Sequence, residues 1–274
     1  PDGGFGALAK GFERLATEQG VTFKYNSEVE KINVSDKQVT GVKTSKGVVA
    51  ADVVIANADY PYVETHLLDK QHQTYPEQYW NKKAIAPSAL LMYLGVKGKI
   101  KAFAHHNLYF ASEWKDHFNT IFHDPQWPED PSYYVSCPSK TDPTVAPAED
   151  ENLFILIPVA AGLPDTQETR EKYFKNVMDH LETLTGENIK DRLVVKRLFA
   201  HQDFATQYHA YKGTALGLAH TLGQTAVFRS SHKSKKVKGL YYTGHYTHPG
   251  IGVPMVIISS QIVASEIRNA YDHR

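Results

Sequence analysis

The chain has 274 residues, enough for one large domain or two modest ones with a sizeable core. Its 30 Lys and Arg balance its 30 Asp and Glu, so no basic field exists to gather phosphates, and nucleic acid is excluded as a partner. The single cysteine, Cys137, rules out an internal disulfide framework and fits a reducing, cytoplasmic compartment. The longest apolar runs, 89–96 and 251–258, are far short of the roughly 20 residues a membrane-spanning helix needs. The sequence opens at Pro1 without a methionine or a leader-like segment, which points to a missing upstream part.

In chain order, Phe5, Leu8, Phe12 and Leu15 recur at helical spacing and predict an amphipathic helix that Gly20 stops. Short β-like runs follow at 21–25, 29–34, 39–44 and 48–55, separated by Asp36-Lys37 and Ser45-Lys46-Gly47. The last run, ending Val53-Val54-Ile55-Ala56, is continuously apolar and predicts a strand covered on both faces. It leads into Asn57-Ala58-Asp59. From 60 to 196 aromatic residues, prolines and charges mix, which reads as an inserted domain with strands at 89–96 and 153–159 and a helix over 166–185. The final part, 197–274, is ordered as strand, glycine loop and a helix from about Met255 whose early face is apolar and expected to be buried.

Residues 244–254 read Gly-His-Tyr-Thr-His-Pro-Gly-Ile-Gly-Val-Pro, with glycines and prolines placed between a strand and a helix. Such a bend lets backbone approach a ligand closely, and the N–H groups of the next helix favour an anionic or electron-rich group there. A plain strand-to-helix turn is the alternative. His245 and His248, or His105 and His106, lack Cys or acidic partners at metal-ligand spacings, so no metal is expected. His248 lies closest to the bend and reads as a loop-packing or orienting residue rather than a proton carrier. No catalytic residue can be named. Tyr93, Phe103, Tyr109, Phe110 and Trp114 could line a tunnel for an apolar chain, or simply pack a core.

Residues 239–259 closely resemble the C-terminal flavin-binding signature of the carotenoid desaturases, the phytoene and diapophytoene desaturases among them. The resemblance extends through Phe204, Gly213, Ala215, Leu216, Gly217, Leu218, Leu222, Gln224 and Phe228, and covers Gly3-Gly4, Glu28-Val29, Ile32 and Asn57-Ala58-Asp59. It implies an α/β fold with mixed α+β character: the C-terminal part of an FAD-binding, Rossmann-like flavoprotein carrying an inserted mixed-sheet and helix substrate domain. Residues 1–59 and 197–274 would belong to the FAD-binding domain and 60–196 to the substrate domain. By the same resemblance Val29 lies where backbone meets the adenine, and Asn57, Ala58 and Asp59 lie where a returning strand passes the cofactor. Gly244 would sit beside the ribityl or pyrophosphate chain, while Thr247, His248, Pro249, Gly250, Ile251, Gly252 and Val253 would approach the flavin ring. His245-Tyr246 stands where many relatives carry smaller residues.

The activity implied is FAD-dependent desaturation of a long apolar polyene in carotenoid biosynthesis, by a protein peripheral to the inner face of the membrane. A carotenoid oxygenase, ketolase or isomerase on the same scaffold, or a non-catalytic lipid-binding module, are the other readings. The Gly-x-Gly-x-x-Gly turn that normally holds the cofactor's pyrophosphate does not occur, so the chain by itself is expected to hold FAD weakly or not at all.

Overall fold

A computed structural model describes residues 3–271. Its regular elements begin with α1 (Gly4–Glu18), β1 (Val29–Ser35), β2 (Gln38–Thr44), β3 (Gly47–Ala50), β4 (Val54–Ala56), α2 (Tyr60–Tyr62) and α3 (Glu77–Asn81). There follow β5 (Ser88–Val96), β6 (His106–Tyr109), α4 (Trp114–Phe122), β7 (Tyr133–Ser136), β8 (Glu151–Val159), α5 (Gln167–Thr185), β9 (Leu193–Phe199), α6 (His201–Tyr208), β10 (Leu240–Tyr242) and α7 (Val253–Tyr271). The chain divides into two units, one of residues 3–25 with Ala89–Gln202, the other of Asn26–Ser88 with residues 203–271.

In the first unit five strands lie in the order β6-β7-β8-β5-β9. Along β8 buried and half-buried residues alternate, as a strand with one face on the core must. The inward residues Leu153, Ile155, Ile157 and Val159 form one cluster with Leu90, Met92 and Leu94 of β5 and with Tyr173, Phe174, Val177, Met178 and Leu181 of α5. The helix starts where the Thr166 hydroxyl accepts the N–H of Thr169 at 3.1 Å, and stops at Gly186, whose φ of 68° is left-handed. Both ends match the reading of the sequence.

The second unit joins an antiparallel meander, β1-β2-β3, to a parallel pair, β4 and β10. Its core gathers Ile32, Val39, Tyr60, Val63, Trp80, Leu218, Leu240 and Tyr242. Tyr60 stacks on Tyr242 with ring centroids 3.9 Å apart. The Tyr242 hydroxyl donates to Glu64, which is fully buried and also accepts the N–H of Tyr75 at 2.7 Å. Burial pushes the Glu64 carboxyl above its ordinary range.

Four sequence expectations are corrected. Residues 21–25 form no strand: Val21, Phe23 and Tyr25 alternate properly but are exposed, because alternation specifies a face and not a partner. The run 48–55 is two strands, since β3 pairs with β2 up to Ala50 and the chain then changes sheets, the N–H of Val54 donating to the carbonyl of Gly239 at 2.9 Å. β4 is not covered on both faces, as Ile55 is half exposed in its two-stranded sheet. The early part of α7 is likewise more open than expected. Ser259 and Val263 are its buried residues, while Val253 and Ile258 face outward.

Candidate functional site

Parallel pairing places the carboxyl ends of β4 and β10 side by side, in the register Leu240 to Val54, Tyr241 to Ile55 and Tyr242 to Ala56. The pairing continues one step further, with the N–H of Thr243 donating to the carbonyl of Ala56 at 3.1 Å. Two loops therefore leave the sheet together: Asn57-Ala58-Asp59 from β4 and the bend at 243–252 from β10. Open parallel sheets bind ligands in this position. An ideal Cβ on Gly244 would stand 3.2 Å from Oδ1 of Asn57, so the two loops approach as closely as a missing side chain allows.

Ser259 of α7 ties the bend together. Its fully buried hydroxyl oxygen accepts the N–H of Gly244 at 3.1 Å and hydrogen-bonds the hydroxyls of Thr243 and Thr247 at 3.0 and 2.8 Å. Thr247 in turn donates to the carbonyl of Gly244 at 2.8 Å. The first turn of the bend is thus held from inside, leaving its outer edge free.

Arg229 holds the remainder. It is buried, and its guanidinium donates only to carbonyls: Nε to Thr247 at 3.1 Å, Nη1 to Gln224 at 3.0 Å and Ala219 at 3.5 Å, Nη2 to Leu218 at 2.9 Å and His245 at 2.5 Å. These five bonds match the five donors of a guanidinium. Burial lowers the Arg229 pKa to about 10, which still leaves the group cationic at neutral pH. Gly250 packs directly on this clamp. Its φ is 126°, and a Cβ there would fall 2.1 Å from Nε2 of His220 and 3.3 Å from Cζ of Arg229, so the position requires glycine. The peptide between His248 and Pro249 is cis.

Beside the paired loops lies an open cleft of about 530 Å³. Asn57, Ala58, Asp59 and His245 line it, together with Tyr208, His209 and Ala215 among others. Asp59 is nearly buried at its edge, where Oδ1 accepts the N–H of Tyr62 at 3.1 Å and Oδ2 that of Tyr211 at 3.2 Å. Burial raises its pKa to about 6 against those stabilising bonds. His245 is driven the other way, to about 4, by burial and then by the Arg229 charge. At neutral pH the cleft thus presents a neutral imidazole and an ionised carboxylate.

Of the residues singled out in the sequence, Asn57, Ala58, Asp59 and Gly244 come together at the paired loops. Thr247 and Gly250 are buried beside them, and Pro249 and Ile251 are half buried. His248, Gly252 and Val253 are exposed along the outer edge of the bend. Val29 lies elsewhere in the same unit: it opens β1 opposite Thr44, packs on the core, and is not among the cleft's lining residues. Of the five aromatic residues offered as a tunnel, Phe103 belongs to the core, Tyr109 packs against it, and Phe110 and Trp114 are exposed. Tyr93 borders an apolar hollow of about 380 Å³ on β5, β8 and β9.

Arg229, His245, Ser259 and Tyr211 carry the site and were given no role by the sequence alone. One signal was available for Arg229: no Asp or Glu occurs from Phe204 to Ser265, so a buried arginine in that stretch has no neighbour in sequence to neutralise it. A glycine cradle at the carboxyl ends of parallel strands, feeding the N-terminus of a long helix, suits a flat ring with an electron-rich edge.

Taken together, these features define part of a dinucleotide-cofactor oxidoreductase fold. The family described as "Flavin containing amine oxidoreductase" matches residues 1–268, and the chain belongs to it. The carotenoid 3,4-desaturase of Haloarcula japonica is 46% identical over 268 residues, an alignment covering 97% of this chain and 54% of that protein. The zeta-carotene-forming phytoene desaturase of Myxococcus xanthus is 34% identical over 274 residues, with 97% and 52% covered. The chain spans about half the length of the curated relatives it matches. A solved oxidoreductase from Methanosarcina mazei shares the fold, with a TM-score of 0.63 at 15% identity over 97% of this chain and 55% of that one.

Proposed function

We propose that the chain is the C-terminal half of an FAD-dependent desaturase acting on a long carotenoid polyene. The carrying observation is the glycine bend at 244–252 held against Asn57-Ala58-Asp59 at the ends of β4 and β10, in a chain 46% identical to a carotenoid 3,4-desaturase. On this reading residues 1–59 and 197–274 serve the cofactor domain and residues 60–196 the substrate domain. The chemistry that FAD would supply when held at the bend is the two-electron oxidation of a carbon–carbon single bond of the polyene to a double bond.

The chain's own residues contribute placement. Arg229 and Ser259 fix the bend, and Asn57, Ala58, Gly244 and Gly250 offer backbone at close range, with Thr247, His248, Pro249, Ile251, Gly252 and Val253 continuing the same edge. Val29 is assigned to the adenine end. The neutral His245 can orient a polar edge without adding charge. Orientation and exclusion of water, rather than an acid–base pair, then govern the rate.

The polyene dissolves in lipid, and no helix among the described residues is long and apolar enough to cross a membrane. On this reading the protein works as a peripheral one at the cytoplasmic face. Expression of the full-length protein in cells that accumulate a colourless or partly desaturated carotenoid tests the reading: longer-wavelength absorbance and products lighter by two hydrogens are expected, and unchanged carotenoids refute it.

A second reading has specific support. The 4,4'-diaponeurosporene oxygenase of Staphylococcus aureus MSSA476 is 31% identical over 276 residues. Products gaining oxygen rather than losing hydrogen would select it. The chain by itself lacks a pyrophosphate-binding turn and binds FAD weakly; submicromolar affinity in a titration of the purified chain would overturn that.

A further inference from the structure

Arg229 is a buried cation held without an anion. It is 5% exposed, and its five hydrogen bonds all end on main-chain carbonyls, two of which, those of His245 and Thr247, belong to the bend itself. No carboxylate among the described residues bonds it. Its pKa, lowered by burial to about 10, leaves the charge in place at neutral pH. Taking an ion out of water is costly, which is why buried guanidinium groups are ordinarily paired with an acid. Holding the bend requires donors, and donors require no charge. The charge is therefore a separate feature of the fold.

Its field reaches the site. The His245 imidazole is driven down to about 4 by burial and then by the Arg229 charge. At Gly250 a Cβ would fall 3.3 Å from Cζ of Arg229, so a single layer of bare backbone separates the guanidinium from the outer edge of the bend. A carbonyl that accepts from a cation polarises its own peptide. The N–H of His248, which shares a peptide with the Thr247 carbonyl, becomes a stronger donor on that exposed edge. Helix α7 begins directly after Gly252 and adds the positive end of its dipole.

We infer that Arg229 sets the reduction potential of the flavin, its uncompensated charge beneath the bend favouring the reduced ring over the oxidised one. A fixed cation lowers the energy of whichever state of its neighbour is more negative. A hydride carries two electrons and one proton, so its addition leaves a flavin ring one unit more negative. The Arg229 charge offsets that unit and makes the bound flavin a stronger oxidant. In a buried site the effect is larger than in water, because little solvent screens it. Arg229 bonds only main-chain carbonyls, those of the bend among them, and acts through its field, as a positioning residue. The inference rests on the reading that places a flavin on the bend.

Spectroelectrochemical titration of the full-length protein tests it. Sulfite affinity gives a second readout, since sulfite adds to an oxidised flavin ring and leaves it negatively charged. Arg229→Gln should lower the reduction equilibrium at least about tenfold, a fall of about 30 mV for a two-electron couple, and weaken sulfite binding by a similar factor. Arg229→Lys keeps the charge with three donors in place of five, so it should lose stability yet hold the equilibrium within about threefold of wild type. His220→Glu leaves every bond of Arg229 in place. His220 is exposed, and its Nε2 lies 2.1 Å from the same Gly250 Cβ position that stands 3.3 Å from Cζ of Arg229, so a carboxylate there meets the guanidinium. It should lower both readouts at least about threefold, with His220→Gln as the unshifted control, and it decides the matter where Arg229→Gln releases the flavin. A potential unmoved by either Arg229→Gln or His220→Glu overturns the inference. An equal fall in Arg229→Gln and Arg229→Lys does the same, because it makes the arginine a mechanical clamp alone. Full-length protein that holds no flavin overturns both this inference and the proposed function. Flavin-bound protein that desaturates nothing, with the potentials shifting as stated, removes the proposed function and leaves the role of Arg229 standing.

Discussion

Replacing Asp59 with asparagine tests the electrostatics of the cleft through stability alone. The Asp59 carboxyl is only 6% exposed, and its pKa is raised from 3.8 to about 6, chiefly by burial. An acid whose folded pKa exceeds its unfolded value holds its proton more tightly in the native state. Its contribution to stability is therefore complete below about pH 4 and is lost as pH rises through about 6. At 1.36 kcal/mol per pKa unit the shift corresponds to about 3 kcal/mol, an upper limit because solvent relaxes around real carboxylates. Asp59→Asn keeps one acceptor for the N–H of Tyr62 or Tyr211 and turns a donor toward the other, a pH-independent cost of about 1–3 kcal/mol. Urea unfolding of both proteins at several pH values between about 4 and 7 isolates the effect, because every other titrating group cancels in the difference. Wild type should lose about 2–3 kcal/mol relative to the variant across that window. Two profiles that stay parallel would show that Asp59 is not desolvated by the Tyr62 and Tyr211 loops, and the account of the cleft wall would fall.

Arg229→Leu strands the carbonyls of Leu218, Gln224, His245 and Thr247 and should lower stability by about 3–5 kcal/mol in urea, with Arg229→Lys in between because an ammonium has three donors. Equal stability in the leucine variant would mean the clamp is ornamental. Ser259→Ala removes the acceptor of the Gly244 N–H and should cost about 1–3 kcal/mol by the same measurement. Gly250→Ala meets both a φ of 126° and the His220 ring, and its melting temperature should drop clearly even if the imidazole swings aside. His245 supplies the opposite pH dependence: a base whose folded pKa is depressed to about 4 loses stability as pH falls from its ordinary 6.5, and His245→Gln should flatten that acid limb in thermal melts.

The elements legible in the sequence were those whose signal is local. Thr166 and Gly186 bracket α5 because a cap and a left-handed stop act within one turn. Ser45-Lys46-Gly47 separates β2 from β3 for the same reason. Partnership was not legible. Residues 21–25 have the periodicity of a strand yet form none, while 48–55 has one continuous run and two different strand partners, β2 and β10. Helix α4 was not anticipated: of its residues only Trp114 was weighed, as tunnel or core, whereas it is exposed and the helix turns His117 and Ile121 inward.

The candidate site divides along the same line. Its glycines and the Asn57-Ala58-Asp59 turn are conformational requirements, and such requirements leave a mark at each position in the sequence. Its rigidity comes from Arg229 and Ser259, whose partners lie up to 18 and 16 residues away and are mostly backbone atoms that every residue possesses. A carbonyl leaves no trace in a sequence, so an arginine satisfied only by carbonyls looks like any surface arginine. What distinguishes Arg229 is the company it lacks, since an acid-free stretch around a buried cation leaves main-chain oxygen as its remaining local recourse. That choice has a consequence for the chemistry: the charge stays uncompensated by any carboxylate in the clamp, directly beneath a bend suited to an electron-rich ring.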